Sequence, residues 1–160
     1  MQSIENAELW LAGEGDLSKY LRQLAVDLKV ANRVIFLGYL LPNQLKKVTA
    51  QATIGLNLLE NKGLSYYYSL ANKTFDYIHA ELPAINMAFP EYCIINETLP
   101  IGLLVADLET ATLVNAIQQL LTDSVLYRQL QDNCVVAKGV YNWEKEAVQL
   151  IRIYQSIHNS

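Results

Sequence analysis

The sequence predicts an α/β fold in three layers, with a mostly parallel five-stranded sheet and C-terminal capping helices. Short apolar runs alternate with helix-period segments along most of the chain, as in a parallel sheet covered on both faces. Hydrophobic residues make up 52% of the 160 and charged ones 18%, below the usual ~25%, which excludes disorder and points to a mostly interior sheet. At ~150 residues per domain the length suits a single domain over residues 1–160, and no repeat, low-complexity stretch or Pro/Ser-rich linker divides it.

Five runs read as strands: Leu9 to Gly13, Val34 to Gly38, Ile54 to Leu59, Ala84 to Phe89 and Gly102 to Ala106. Each is too short for a helix and ends in turn or polar chemistry. Between the first two, Leu17, Leu21, Leu24 and Leu28 repeat at helical spacing behind Asp16, a good N-cap. Leu45 and Val48 to Ala52 follow a Pro42-Asn43 helix start, and a third helix spans about Leu70 to Ala80. A fourth runs from Glu109 to Leu121, with Leu113, Ile117, Leu120 and Leu121 on one stripe. There the alternation stops. Two more helices over 124–157 carry Leu126, Leu130 and Cys134, then Trp143, Ala147, Leu150, Ile151 and Tyr154, and are expected to cap the sheet and return across it.

Composition also narrows function. Lys and Arg number 12 against 16 Asp and Glu, for a net charge of −4, so no positive field recruits a polyanion and nucleic acid is not an expected partner. Cys93 and Cys134 make no C-x-x-C, and no His pair stands at metal spacing. Neither a disulfide framework nor a metal site is encoded, a reducing cytoplasm fits, and both cysteines read as small buried apolar residues. No apolar run approaches the ~20 residues of a membrane span, and the start from Met1 to Glu5 lacks the basic and apolar regions of a targeting segment.

In open α/β sheets ligands bind beyond the carboxyl ends of the strands. The first such loop, Gly13-Glu14-Gly15-Asp16, allows close backbone approach at a helix start, or is simply a sharp strand-to-helix turn. A dinucleotide fingerprint would need a third glycine at Ser18 and an acid where Val34-Ile35-Phe36-Leu37 stands, so nicotinamide and flavin binding are disfavoured. The loop from Gly38 to Pro42 offers an apolar floor to a flat ring, or only turns. Glu60 to Ser69 is long and tyrosine-rich, a length that often carries function. Its Tyr66, Tyr67 and Tyr68 either stack on a sugar or base, or seal the sheet edge or a partner surface. A helix starting near Ala71 would present free N–H groups and a positive dipole end to phosphate. Asp76 follows five residues on, roughly 7 to 8 Å along the axis at ~1.5 Å per residue, about the offset from a diphosphate to a ribose. It is either an acceptor for ribose hydroxyls or a solvated acid near the positive helix end. Lys73 reaches a phosphate or stays in solvent. His79 reads as a packing or surface histidine, His158 as part of a tail, and Glu91 as a loop acid after Pro90.

One ordered set of segments resembles a known family. It comprises Leu11-Ala12-Gly13-Glu14-Gly15, Arg33-Val34-Ile35-Phe36-Leu37-Gly38-Tyr39, and Ala71-Asn72-Lys73-Thr74-Phe75-Asp76-Tyr77-Ile78 followed by Leu82-Pro83-Ala84-Ile85. It continues through Gly102-Leu103-Leu104-Val105, Leu120-Leu121-Thr122-Asp123 and Tyr141-Asn142-Trp143-Glu144. Over almost the whole chain this order resembles the C-terminal, nucleotide-sugar-binding half of retaining glycosyltransferases of the GT-B fold, family 4 (group 1). The resemblance implies a Rossmann-like donor-binding domain in which Asp76 binds the donor ribose and Tyr39 lies against the base. The Leu70, Ala71 and Asn72 backbone would meet the diphosphate beside Lys73, and Gly13, Glu14 and Gly15 would line the donor. The implied reaction is hexosyl transfer from a UDP- or GDP-sugar in bacterial polysaccharide or glycoconjugate biosynthesis, with no cofactor or metal. Such catalysis is largely positioning and stabilisation of the departing diphosphate.

Two departures matter. The family's first acid, eight positions before Asp76, is Tyr68 here, so sugar recognition by that carboxylate is absent. The strand and helix that carry the family's diphosphate-clamping Arg and Lys, and the acceptor-binding N-terminal domain, are also missing, so a fragment inactive in isolation is expected. The resemblance leaves room for peripheral membrane association of the complete enzyme. A non-catalytic Rossmann-like binding or interaction module is the alternative. With the family's central first strand missing, Leu9 to Gly13 and Ile54 to Leu59 would each lose a neighbour. Direct closure of these two strands into one five-stranded sheet, or a homo-oligomer filling the gap, is the expected remedy.

Overall fold

The structure, a computed structural model, describes residues 1–158. In chain order the elements are β1 (Leu9–Ala12), α1 (Ser18–Asp27), a 3-10 turn (Ala31–Arg33), β2 (Val34–Gly38), α2 (Pro42–Thr49), β3 (Gly55–Asn57), α3 (Leu64–Tyr67) and α4 (Asn72–His79). They continue as β4 (Ala84–Met87), α5 (Pro90–Thr98), β5 (Gly102–Val105), α6 (Thr110–Thr122), α7 (Ser124–Val140) and α8 (Trp143–His158). All five expected strands form. The chain divides into two compact units, Met1–Gln51 and Ala52–Ser160.

In the first unit β1 and β2 pair in parallel, Leu9 opposite Val34 and Ala12 opposite Gly38. Ala25, Val30 and Val34 form its core, joined by Met1, Leu9, Leu11 and Phe36. The Arg33 guanidinium donates to the carbonyls of Ile4 at 2.6 Å and Met1 at 3.0 Å, which ties the first residues to the start of β2. Asp16 does not cap α1 as expected. The N-cap is Leu17, without a side-chain cap bond, because the glycine turn instead brings the Ser18 hydroxyl back to accept from the Gly15 N–H at 2.9 Å.

In the second unit the strand order is β3-β4-β5, all parallel, with β4 central and each of its four residues buried. Ile85, Met87, Phe89, Tyr92, Val105, Ala116, Leu120 and Leu130 make the larger core. The five strands therefore form a two-stranded and a three-stranded sheet, and the single five-stranded sheet expected from the sequence does not form. Pairing depends on which backbone edges meet, whereas the apolar pattern that locates a strand says nothing of its neighbour.

Two helices were not expected. α5 begins with Pro90 at its first turn and buries Tyr92 and Ile95. Its apolar residues Tyr92, Cys93, Ile94 and Ile95 are contiguous rather than striped, which hides the helical period. α3 is a single turn inside the tyrosine loop. At the far end α7 does cover the core of this unit, burying Leu130, Cys134 and Ala137. α8 does not: none of its described residues is buried, while α7 supplies Cys134 and Ala137 to the cluster with Ile78, Ile95 and Ile101. Among the described residues no helix is long and apolar enough to cross a membrane.

Only one cysteine is buried as expected. Cys93 is half-buried, whereas Cys134 is fully enclosed and donates to the Ile101 carbonyl at 3.6 Å. Burial first, and the Glu81 charge second, push its thiol from 9.0 up to about 12. Above the unfolded thiol's range the folded chain holds a proton that the unfolded chain has lost, so stability falls as pH rises from about 9 toward about 12. At neutral pH a thiol reagent is expected to modify Cys93 in the native chain and Cys134 only in denaturant. Equal native labelling of both would contradict this burial.

Candidate functional site

At the carboxyl ends of β1 and β2, two glycines with positive φ make the turns, Gly13 at 123° and Gly38 at 65°. The Gly13 N–H donates to the Gly38 carbonyl at 2.7 Å, so the two strand ends are joined and the amides of Gly13 and Gly15 both have protein acceptors. Glu14 pairs with Arg22 at 3.2 Å, and that guanidinium lies 4.3 Å from the centre of the Phe36 ring. The Ser18 hydroxyl first, then Arg22, hold the Glu14 carboxyl below its ordinary range. Tyr39 stands 78% exposed beyond β2.

In the second unit the tyrosine loop sorts its three rings. Tyr67 packs 5.3 Å from Phe89 and edge-on to Tyr68 at 5.0 Å, so it seals the core, while Tyr66 and Tyr68 remain exposed. The chain then enters α4 through Leu70, which packs against both core clusters of this unit, and Ala71, an extended N-cap without a side-chain cap bond. The helix start thus falls where the sequence placed it.

Non-local contacts fix that start. The Ala71 N–H donates to the Tyr92 hydroxyl at 3.0 Å. The Thr74 N–H returns to the Ala71 carbonyl at 2.9 Å. Asn57, fully buried on β3, donates through Nδ2 to Thr74 Oγ1 at 3.1 Å and to Asn86 Oδ1 on β4 at 3.2 Å. One turn on, the Tyr77 hydroxyl donates to the Leu56 carbonyl at 3.0 Å, and burial pushes this phenol up from its ordinary range. The Tyr77 ring lies so close to Gly55 that a Cβ there would be 2.7 Å from it, so β3 needs glycine at this position for α4 to seat.

With Ala71 and Thr74 engaged, the N–H groups left without a protein acceptor at this helix start, among the described residues, are those of Asn72 and Lys73. Asn72, Lys73 and Asp76 are exposed, and no hydrogen bond or ion pair holds the side chain of Lys73 or Asp76. Spacings of three and four put Asp76 on the face of Asn72 and Lys73. His79 is used structurally, its Nε2 lying 2.8 Å from the Tyr141 carbonyl. Glu91 sits in the first turn of α5, where an acid suits the helix dipole.

Two surface cavities occur elsewhere in this unit. One of about 500 Å³ lies along α7 from Ser124 to Asn133, and one of about 380 Å³ is lined by Phe75, His79, Tyr141, Asn142, Trp143 and Glu146. Neither includes Asn72, Lys73 or Asp76. Among the described residues no three His, Cys, Asp or Glu side chains group as metal ligands. The sequence alone does not mark Asn57, Asn86, Thr74 and Tyr92 as partners. The one local signal is the asparagine, a residue that β-strands disfavour, inside each of two otherwise apolar strand runs, Asn57 and Asn86.

Parallel strands followed by helices, with candidate ligand groups at strand ends and a helix start, define a Rossmann-like α/β protein. Residues 1–123 match the family model of glycosyl transferases group 1, and the chain belongs to that family. Among curated proteins none matches the sequence. Similar solved structures include sucrose-phosphate synthase from Thermosynechococcus elongatus, at TM-score 0.83 and 22% identity over 99% of this chain and 40% of that one. HepE from Anabaena in complex with UDP follows at 0.78 and 18%, over 96% of this chain and 42% of that one. WaaG, a glycosyltransferase involved in lipopolysaccharide biosynthesis, is similar at 0.69 and 20%, over 88% and 37%. The chain thus spans about two-fifths of the length of these structures.

Proposed function

We propose that this chain is the nucleotide-sugar-binding, C-terminal half of a retaining family 4 glycosyltransferase of the GT-B fold. The observation that carries the reading is the first turn of α4, where two acceptor-free amides, the Lys73 ammonium and the Asp76 carboxylate share one exposed helix face. A diphosphate suits the amides and the positive helix end, and ribose hydroxyls suit a carboxylate one turn along. The similarity to HepE, whose structures contain UDP, UDP and glucose, or UDP-glucose, supports a nucleotide-sugar donor. In the transfer the bond from the sugar's anomeric carbon to the diphosphate breaks. A bond to an acceptor hydroxyl forms on the same face, that hydroxyl's proton passes to the departing diphosphate oxygen, and Asn72 and Lys73 stabilise the departing anion.

The donor is a UDP- or GDP-sugar acting as substrate, with no cofactor assigned. The acceptor belongs to sequence outside this chain, and the reaction to polysaccharide or glycoconjugate synthesis in the cytoplasm. The test is a melting series with millimolar UDP, GDP and NAD. UDP or GDP is expected to raise the melting temperature and NAD to leave it unchanged, since a ligand at 100 times its Kd stabilises by about 2.7 kcal/mol. Stabilisation by none of the three would favour a non-catalytic module.

Asp76→Asn is expected to weaken UDP or GDP binding by about 1 to 3 kcal/mol, the loss of a charge-assisted hydrogen bond. Asp76 is exposed, so the melting temperature of the free chain should hold. Unaltered affinity, measured by calorimetry, would return Asp76 to the role of a solvated acid.

A further inference from the structure

The contacts beneath α4 do more than fill a core. Asn57, Thr74 and Asn86 are at most 1% exposed, and they join β3, β4 and the first turn of α4 in one buried polar network. Asn57 Oδ1 is the one buried side-chain nitrogen or oxygen without a partner among the described residues. An apolar residue would fill that position without leaving an orphaned acceptor. Polar groups kept in a core at such a cost specify geometry rather than add stability. Here the geometry they specify is local. The N-cap of α4 has no side-chain partner of its own, and the Asn57–Thr74 and Tyr92–Ala71 bonds hold the residues on either side of Asn72 and Lys73.

We propose that Asn57, acting through Thr74, and Tyr92, acting through Ala71, are positioning residues that hold the Asn72 and Lys73 amides in place for the donor diphosphate. This rests on the donor-binding reading. It assigns to buried residues a part of the ligand affinity that none of them contributes by contact. Aligned donors in place before binding need no ordering when the anion arrives.

Thr74→Val keeps the shape of the side chain and removes the hydroxyl that accepts from Asn57, Thr74→Ser keeps the hydroxyl, and Tyr92→Phe frees the Ala71 amide. Each variant of the full chain is titrated with UDP and with GDP, and amide exchange at Ala71 and Thr74 is followed by NMR. Thr74→Val and Tyr92→Phe are expected to raise the Kd of whichever nucleotide the wild type binds by about tenfold. Both should also speed exchange at Ala71 and Thr74, whose N–H groups are bonded in the wild type, with Thr74→Ser close to wild type. Variants that bind as the wild type does, with unchanged exchange and only a lower melting temperature, overturn the positioning role. A wild-type chain that binds neither nucleotide overturns the donor reading, and with it this inference.

Discussion

Gly102→Ala is expected to cost about 3 kcal/mol or more, a fall of about 6 to 12 °C in melting temperature for a chain of this length. Gly102 lies opposite Ala84 in the β4–β5 ladder. A Cβ on it would run into the Ala84 carbonyl oxygen and lie 2.8 Å from the carbonyl carbon and 2.9 Å from the nitrogen of the same residue. These are backbone atoms of the central strand and have no rotamer to escape into. The neighbourhood is also clamped, since the Asn96 side chain accepts from the Ile101 N–H at 3.0 Å and donates to the Gly102 carbonyl at 2.9 Å. Gly139, exposed on α7 with nothing within 4 Å of its Cβ position, is the control. Alanine there should stabilise by about 0.5 to 1 kcal/mol. Parallel melts of the two variants decide the matter, and a Gly102→Ala protein as stable as wild type would mean the two strands can separate without cost.

Ile85→Ala should be nearly as damaging, at about 2 to 5 kcal/mol, by loss of transfer free energy together with a cavity that the sheet cannot close. Ile85 is 0% exposed at the middle of β4 and packs in the larger core with Met87, Val105 and Leu120. Ile85→Val removes one methylene and should cost about 1 kcal/mol. Urea titrations of both variants test the ordering, and equal midpoints would show that the site repacks freely.

The two asparagines beside these positions mark a limit of sequence reading. Asn57 and Asn86 stand in runs recognised as strands from their apolar neighbours, and the runs do form. That Asn57 meets both Asn86 and Thr74 depends on the register that sets Asn57 opposite Asn86, which no local pattern encodes. The same holds at α4. The helix start was legible from Ala71 onward, but which of its amides stay free was decided by Tyr92, twenty-one positions later.

By itself the sequence determined where the strands and most helices lie, because side-chain burial repeats with the local period of each element. It also determined the order of segments that resembles the family to which residues 1–123 belong. Tertiary structure alone decided that five strands make two sheets, that α5 forms behind a contiguous apolar run, and that the stripe on α8 stays uncovered. The physical reason is common to all three. Strand partners, and the packing space left for a helix, are set by residues distant in sequence, and their energies appear only when those residues meet.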